Sequence, residues 1–415
     1  MENKIVQVEE KLPILQTIPL SLQHLFAMFG ATVLVPILFK INPAIALLFN
    51  GIGTLIYLYI CSGKIPAYLG SSFAFIAPVL LVSAQFGYGA ALSGFIVNGL
   101  IFMIVAGLVY KYGTNWINII LPPAAMGTIV AIIGLELAPV AIGMAGFSSQ
   151  VISWPSIIVS SFTILVTIIA SLTFRGFFRI IPVLIGVVSG YLLALFMGMV
   201  DFTPVTTAAW FSMPTFYTPE FNLSAILIIL PASLVVIAEH IGHLVVTGNI
   251  VGKDLIKDPG LNKSLFADGI SNVLSGFFGS PPNTTYGENI GVMAITKVYS
   301  TWVIGGAAVI AIALSFIGKL AALILSIPVP VMGGVCILLF GVIAASGIRM
   351  LIETKIDYSK ARNLILTSVP FIVGLGGAKI PIGAITLQGM ALAAVVAVVL
   401  SLFIALLDKL KLTSE

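Results

Sequence analysis

The chain is a series of apolar runs, most of them about 20 residues long, separated by short loops. A helix that crosses a bilayer needs about 20 consecutive apolar residues, so this pattern predicts a polytopic, all-α membrane protein. Only 8% of the 415 residues are charged and 59% are hydrophobic, whereas about 25% of a soluble domain is charged. This composition excludes a soluble globular domain, a disordered chain and a nucleic-acid-binding protein.

The apolar runs also predict the topology. Fourteen runs can be distinguished, and two of them, at 73–82 and 288–295, are too short to cross a bilayer alone. When the spans are threaded with the N-terminus inside, 16 of the 19 Lys and Arg residues fall on the cytoplasmic side. The three exceptions are Lys40, Lys319 and Lys379. This asymmetry follows the positive-inside rule and predicts that both termini are cytoplasmic.

The two halves of the chain share short motifs in the same order, at offsets of about half the chain length. The motif Pro-x-x-x-Met-Gly, for example, occurs at 122–127 and again at 328–333. Fourteen spans divided between two copies give seven each, and an odd number reverses the orientation of the second copy. The sequence therefore predicts two inverted seven-span repeats, an arrangement typical of secondary transporters.

Ionisable side chains inside apolar runs are costly and therefore mark candidate functional sites. Glu239 and His243 are four residues apart, so they share one face of a helix, while His240 points about 100° away. A carboxylate can accept two N–H bonds from a planar heterocycle, and a histidine can change its charge near neutral pH. The alternative is a buried pair that only holds helices together.

Both short runs follow residues that cannot continue a helix. Residues 70–72 (Gly-Ser-Ser) precede the first run, and 279–282 (Gly-Ser-Pro-Pro) lie ahead of the second. Non-helical backbone at membrane depth is tolerated where it lines a cavity, and it leaves N–H groups free for a ligand. Glu288 lies at the start of the second half-helix, where a carboxylate is favoured. Alternatively Glu288 is only a helix-terminal charge, the two serines only cap, and Phe73 and Tyr286 only pack.

Three other polar residues are expected to have structural roles. We expect Glu136 and His24 to form hydrogen bonds between helices, and Asp268 to lie near the cytoplasmic end of its span. The chain has no phosphate-binding loop motif and no Cys/His set with metal-ligand spacing. It also lacks a nucleophile–base set for an intramembrane enzyme, so we expect a transporter with no metal and no cofactor.

Four segments resemble the nucleobase–ascorbate transporter family, also called the nucleobase:cation symporters. The first two are Gln23-His24 and the segment 70–75 (Gly-Ser-Ser-Phe-Ala-Phe). The third is 238–247 (Ala-Glu-His-Ile-Gly-His-Leu-Val-Val-Thr), and the fourth contains the family signature as Glu288-Asn289-x-Gly291-x-x-x-x-Thr296. The resemblance extends over essentially the whole chain. Glutamate at the first signature position is typical of the uracil-transporting members.

The resemblance implies a fold of 14 spans in two domains. Residues 1–112 (spans 1–4) and 220–320 (spans 8–11) would form a core domain. Residues 113–200 (spans 5–7) and 326–415 (spans 12–14) would form a gate domain, through which members of the family dimerise. Two short antiparallel strands, near 72–73 and 286–287 in the broken spans 3 and 10, would flank the substrate.

The resemblance also implies the substrate contacts. Glu239 and Glu288 would accept the two N–H groups of uracil, and the backbone N–H groups of Phe73 and Gly287 would donate to its carbonyls. His243, with Glu239, would couple transport to protons. The remaining substrate-site residues would be Ser72, Tyr286 and Phe340.

The implied protein is a uracil:proton symporter that spans the bacterial cytoplasmic membrane many times, contacts membrane lipid and forms a homodimer. Where the uracil-transporting members have a tyrosine, this chain has Phe340, and Asp268 stands where an amide is expected. Transport of another nucleobase, xanthine or thymine, remains an alternative. A passive facilitator or channel is the other alternative, although the ionisable residues inside the spans are acidic or histidine and do not suggest an anion path.

Overall fold

The computed structural model describes residues 5–148, 152–382 and 385–413, and it is mostly helical. The predicted cytoplasmic position of the termini, at 1–4 and 414–415, falls outside the described residues. In the first half the helices are α1 (Ile14–Phe39), α2 (Pro43–Ile60), α3 (Ile76–Phe86), α4 (Tyr88–Tyr112), α5 (Asn115–Ile120), α6 (Pro123–Glu136), α7 (Ala138–Met144), α8 (Trp154–Thr173) and α9 (Pro182–Phe196). In the second half they are α10 (Thr203–Thr207), α11 (Leu223–Val251), α12 (Leu261–Phe278), α13 (Gly287–Thr296), α14 (Thr301–Ser315), α15 (Gly318–Leu325), α16 (Val329–Glu353), α17 (Ala361–Leu375) and α18 (Gly389–Lys409).

Within the described residues, eight helices are long and apolar enough to cross a membrane, with α6 and α7 counted together. Four shorter apolar helices accompany them. One is the segment that contains α3, and the other three are α9, α14 and α17. The chain is thus a multi-pass membrane protein, as its apolar runs predict.

Two strands lie at the two breaks in the helical pattern. Strand β1 (Leu69–Ser71) pairs antiparallel with β2 (Asn283–Thr285), and Gly70 lies opposite Thr284. Both strands end directly before the positions predicted for them. The reason is local, because a 3₁₀ turn begins at Phe73 and α13 begins at Gly287, so the extended backbone continues only through Ser72 and Tyr286.

A second strand pair was not expected from the apolar pattern. Strands β3 (Lys379–Ile382) and β4 (Ile385–Gln388) form an antiparallel hairpin between α17 and α18. The last apolar run in the sequence, 383–407, predicts a single span, whereas the helix begins only at Gly389, and residues 383–384 lie outside the described part of the chain.

The helices pack in two groups around this framework. Helices α1–α4 pack with α11–α14, and they enclose the β1–β2 pair. Helices α6–α9 pack with α16–α18. Small residues allow close contact, as in membrane bundles generally. Between α4 and α12, for example, a Cβ on Gly99 would collide with the backbone of α12 at Gly269 and Val273.

Candidate functional site

The β1–β2 pair brings two helix starts together in the interior of the molecule. The 3₁₀ turn Phe73–Phe75 leads from β1 into α3, and α13 begins at Gly287, two residues after β2. The first N–H groups of a helix have no partner within that helix, and the helix dipole makes this end positive. The N–H groups of Phe73 and Gly287 therefore belong to a region suited to carbonyl or carboxylate oxygens.

A cavity of about 350 Å³ adjoins these two helix starts. Its wall combines both half-helices with α11, which contributes Glu239 and His243, and with α16, which contributes aliphatic residues, Ser346 and Arg349. Phe73, Tyr286, Gly287, Glu288 and Gly291 also line it. Of the eight residues predicted for substrate binding and proton coupling, six line this cavity, while Ser72 and Phe340 do not.

Several buried polar atoms in this wall have no hydrogen-bond partner within the described residues. They are Oε2 of Glu239, Oγ of Ser71 and Oγ1 of Thr284. Buried polar groups are normally hydrogen-bonded, so these atoms indicate a site for a polar ligand. The sequence left Ser71 open between a capping and a ligand-binding role, and Thr284 was not predicted as a site residue. The Gly-Ser-Ser segment and the Asn-Thr-Thr segment were their only signal in the sequence.

His243 is held against β2. Its Nδ1 lies 3.0 Å from Oγ1 of Thr285, and a Cβ on Gly287 would lie only 3.4 Å from its Nε2. Glu239, one helical turn earlier, lines the same cavity. His240 points away from the cavity, as its position on the helix predicts, and its Nδ1 lies 2.9 Å from Oδ2 of Asp268.

A second cavity of about 170 Å³ continues from the first along α16. The two share Glu239, His243 and Ser346 in their walls. The second cavity extends to Glu353 at the end of α16, where Nε of Arg349 donates to Oε1 of Glu353 at 2.6 Å. The site therefore has a path that leads toward one end of the molecule.

Asn289 and Thr296 of the family signature form hydrogen bonds that hold the half-helix α13. Nδ2 of Asn289 lies 3.1 Å from Nδ1 of His24, which links α13 to α1 as expected for His24. Gln23 is the neighbour of this histidine in α1 and has an unpartnered buried Oε1 among the described residues. Oγ1 of Thr296 donates to the carbonyl of Val292 at 2.8 Å near the end of α13.

Two predicted substrate residues lie behind the cavity wall. Phe340 is only 2% exposed, and its ring packs edge-on against Phe73 with the centroids 6.0 Å apart. Ser72 is fully buried, and its N–H donates to the carbonyl of Pro282 at 2.9 Å. Tyr286 lines the cavity, but its hydroxyl donates to the carbonyl of Ser71 at 3.1 Å. Phe340 and Ser72 therefore support the site from behind, while Tyr286 is part of the wall.

The two remaining acidic residues have different environments. Oε2 of Glu136 accepts a hydrogen bond from the N–H of Met390 at 2.8 Å, so it links α6 to α18 as expected. Asp268 is completely buried within α12 and contacts His240 and Asn272, rather than lying at the end of a span. Over the described ranges, no three His, Cys, Asp or Glu side chains are grouped so that they could hold a metal ion.

Comparison with known proteins agrees with this architecture. The profile of a family described as "Permease family" matches residues 15–383. The uracil permease of Escherichia coli (strain K12) is 64% identical over 414 residues, covering 99% of this chain and 96% of that protein. The uracil permease of Bacillus subtilis (strain 168) is 51% identical over 397 residues, covering 92% of this chain and 91% of that protein.

Two solved transporter structures have a similar fold at low sequence identity. SLC26A9 superimposes with a TM-score of 0.72 at 13% identity, covering 95% of this chain and 66% of that one. The transmembrane domain of the cyanobacterial bicarbonate transporter BicA superimposes with a TM-score of 0.63 at 12% identity, covering 96% and 99%. At these identities the likeness concerns the fold alone. The family match and the close relatives show that the chain belongs to a family of permeases rather than of enzymes, the nucleobase–ascorbate transporters whose signature it carries.

Proposed function

We propose that this protein is a proton-coupled symporter that imports uracil across the bacterial cytoplasmic membrane by alternating access. The observation that carries the proposal is the cavity at the β1–β2 pair, where two carboxylates face two helix starts. Uracil has two N–H donors and two carbonyl acceptors, so its hydrogen-bonding pattern complements this arrangement. The close relatives named uracil permeases support the same substrate.

In this proposal each polar group of the base has a partner. Glu239 and Glu288 accept its N–H groups, and the backbone N–H groups of Phe73 and Gly287 donate to its carbonyls. The ring of Phe73 forms part of the same wall and is supported from behind by Phe340. A site that pairs all four polar groups discriminates strongly against a base that leaves one of them unpaired.

Proton coupling involves His243 and Glu239. They lie one helical turn apart on the cavity side of α11, and His243 is also bonded to Thr285 of β2. A proton bound on this pair reduces the cost of placing a carboxylate in the membrane interior, so proton binding and substrate binding favour one another. The coupling ion is H⁺, and no cofactor takes part.

The transport movement is a displacement of two domains about this site. We propose 14 spans in two inverted seven-span repeats, with a core domain at 1–112 and 220–320 and a gate domain at 113–200 and 326–415. The cavity is formed on one side by α11 and α13 of the core and on the other by α16 of the gate. It continues toward Arg349 and Glu353, on the side that the basic residues predict to be cytoplasmic, so this conformation is inward-facing.

The proposed arrangement in the membrane follows the family. Both termini are cytoplasmic, lipid surrounds the apolar helices, and two copies associate through the gate domain. Cross-linking of the purified protein in membranes through single cysteines placed in the gate domain tests this association. Cross-links that form only through core-domain positions would contradict it.

Two measurements test the function. Thermal stabilisation of the purified protein across a panel of nucleobases should be largest for uracil, because a ligand that binds only the folded state stabilises it. A larger effect of xanthine or thymine would instead favour the second candidate function, transport of another base. The feature that supports this candidate is Phe340, which stands where the uracil-transporting members have a hydroxyl-bearing tyrosine. Accumulation of labelled uracil in vesicles should stop when the proton gradient is collapsed, and unchanged accumulation would contradict symport.

The same assay separates binding from coupling. His243→Asn should retain part of the uracil binding but lose uptake against a gradient, because an amide can keep a hydrogen bond to Thr285 and cannot carry the proton. Uptake by this variant that still follows the proton gradient would remove His243 from the coupling mechanism.

A further inference from the structure

The two strands at the site are each held by one side chain of the preceding long helix. On the β1 side this is Thr54 of α2. The backbone N–H of Leu69, the first residue of β1, donates to Oγ1 of Thr54 at 2.9 Å, and the hydroxyl donates to the carbonyl of the same residue at 3.4 Å. One buried hydroxyl thus pairs both backbone groups at the start of this strand.

On the β2 side the equivalent residue is Asn272 of α12. The N–H of Asn283, the first residue of β2, donates to Oδ1 of Asn272 at 2.6 Å, and Nδ2 of Asn272 donates to the carbonyl of Asn283 at 3.1 Å. The two strands are therefore anchored in the same manner. We refer to Thr54 and Asn272 as the anchor residues.

The amide of Asn272 has only one orientation that satisfies these bonds. Its Nδ2 also donates to the carbonyl of Asp268 at 3.0 Å and to Oδ1 of Asp268 at 3.2 Å. A flipped amide would place its oxygen against these acceptors. Asp268 in turn has its other oxygen beside His240, and Nε2 of His240 lies 2.7 Å from Oγ of Ser264.

This chain of contacts is completely enclosed. Asp268, His240, Ser264 and Asn272 are all 0% exposed, and they lie behind β2 rather than in the cavity wall. Strand β2 positions residues of the site, because Thr284, Thr285 and Gly287 follow Asn283 within four positions. A displacement at Asn283 therefore reaches the substrate contacts directly.

We propose that Thr54 and Asn272 are positioning residues of the substrate site, and that Asp268 serves as the acceptor that fixes the amide orientation of Asn272. The inference rests on the proposed function, because it assigns these residues to the binding of a nucleobase. It also gives Asp268 a physical role. An asparagine at 268 would offer the same acceptor oxygen to Asn272, so the negative charge is not the property that matters.

The test measures the Kd for the nucleobase by titration calorimetry on purified, full-length protein. Asn272→Ala leaves the two backbone groups of Asn283 unpaired, and we expect the Kd to rise by about tenfold or more. Asn98→Ala is the matched control. Asn98 is equally buried, on α4 against α12, and its amide has no hydrogen-bond partner among the described residues. We expect its Kd to stay within about twofold of wild type.

The conservative variant separates positioning from charge. Asp268→Asn should remain within about threefold of wild type, whereas Asp268→Leu, which cannot accept, should weaken binding as Asn272→Ala does. If Asn272→Ala does not yield folded protein, Thr54→Val tests the equivalent anchor with almost no change in volume. Its control is Thr128→Val, whose hydroxyl bonds only within its own helix, to the carbonyl of Ala124 at 2.7 Å.

The outcomes are distinct. The inference is overturned if the Kd is unchanged in both anchor variants, or if it rises equally in their controls. It is also overturned if Asp268→Asn binds the nucleobase as weakly as Asp268→Leu. A lower melting temperature with an unchanged Kd of the folded fraction would show a purely structural role and would also overturn it. The wild-type protein is first titrated with the whole nucleobase panel. A preference for a base other than uracil contradicts the proposed function, and the anchors are then judged with the preferred base.

Discussion

Substitution of Glu239 by glutamine isolates the contribution of one carboxylate to nucleobase binding. Oε2 of Glu239 is buried in the cavity wall and has no hydrogen-bond partner among the described residues, so a bound N–H donor would be its partner. A hydrogen bond to a charged acceptor contributes about 1.5–3 kcal/mol and a neutral one about 0.5–1.5 kcal/mol. Glutamine keeps one acceptor oxygen, so the expected loss is about 1–2 kcal/mol, or roughly 5- to 30-fold in Kd.

Titration calorimetry with uracil measures this loss, and Glu136→Gln is the control. Glu136 is also a carboxylate within the helical bundle, but its Oε2 accepts from the N–H of Met390, and glutamine can retain that bond. We expect Glu136→Gln to bind uracil as the wild type does, and Glu239→Ala to show no measurable binding. A Kd for Glu239→Gln within twofold of wild type would refute the assignment of Glu239 as an acceptor for the base.

Two further predictions concern stability. Gly70→Ala would place a Cβ against the ring of Tyr286, so we expect it to reduce stability by about 1–3 kcal/mol and to lower the melting temperature in detergent. The control is Gly107→Ala, where a Cβ meets nothing within 4 Å and the melting temperature should not fall. Equal melting temperatures of the two variants would contradict the packing of Gly70 against Tyr286. Outside the membrane, the hydrogen bond from Lys253 lowers the pKa of Glu9 below its ordinary value of 4.5. This exposed pair stabilises the folded state by less than about 1 kcal/mol. The stabilisation is present at a pH above 4.5 and is lost as the pH falls through the lowered pKa. Lys253→Met should therefore melt slightly below wild type at neutral pH and together with it in acid, and a difference that persists in acid would contradict the pairing.

Local chemistry made part of the site predictable from the sequence. The Gly-Ser-Ser and Gly-Ser-Pro-Pro segments cannot continue a helix, and the structure has its strand pair next to them. The spacing of Glu239 and His243 gave their common face, and it also directed His240 elsewhere. These are properties of neighbouring residues, and they need no knowledge of how distant segments meet.

Long-range contacts account for what the sequence did not reveal. The partner of Asp268 is His240, 28 positions earlier, and no periodicity links the two. The wall that α16 contributes is mostly aliphatic, and no spacing or motif in its sequence links Ser346 or Arg349 to the two distant breaks. Thr54 and Asn272 are ordinary small polar residues within helices, and only the folded chain brings each one against the backbone of a strand.

The strand pair also constrains how the protein can be made. Leu69 lies opposite Thr285, so β1 has no partner strand until the ribosome has synthesised the chain past residue 285. Until then the backbone of β1 must find other partners within the bilayer, because hydrocarbon cannot hydrogen-bond to it. The helices of the first half can therefore be inserted early, but the strand pair is completed only when the two halves of the newly made chain associate in the membrane.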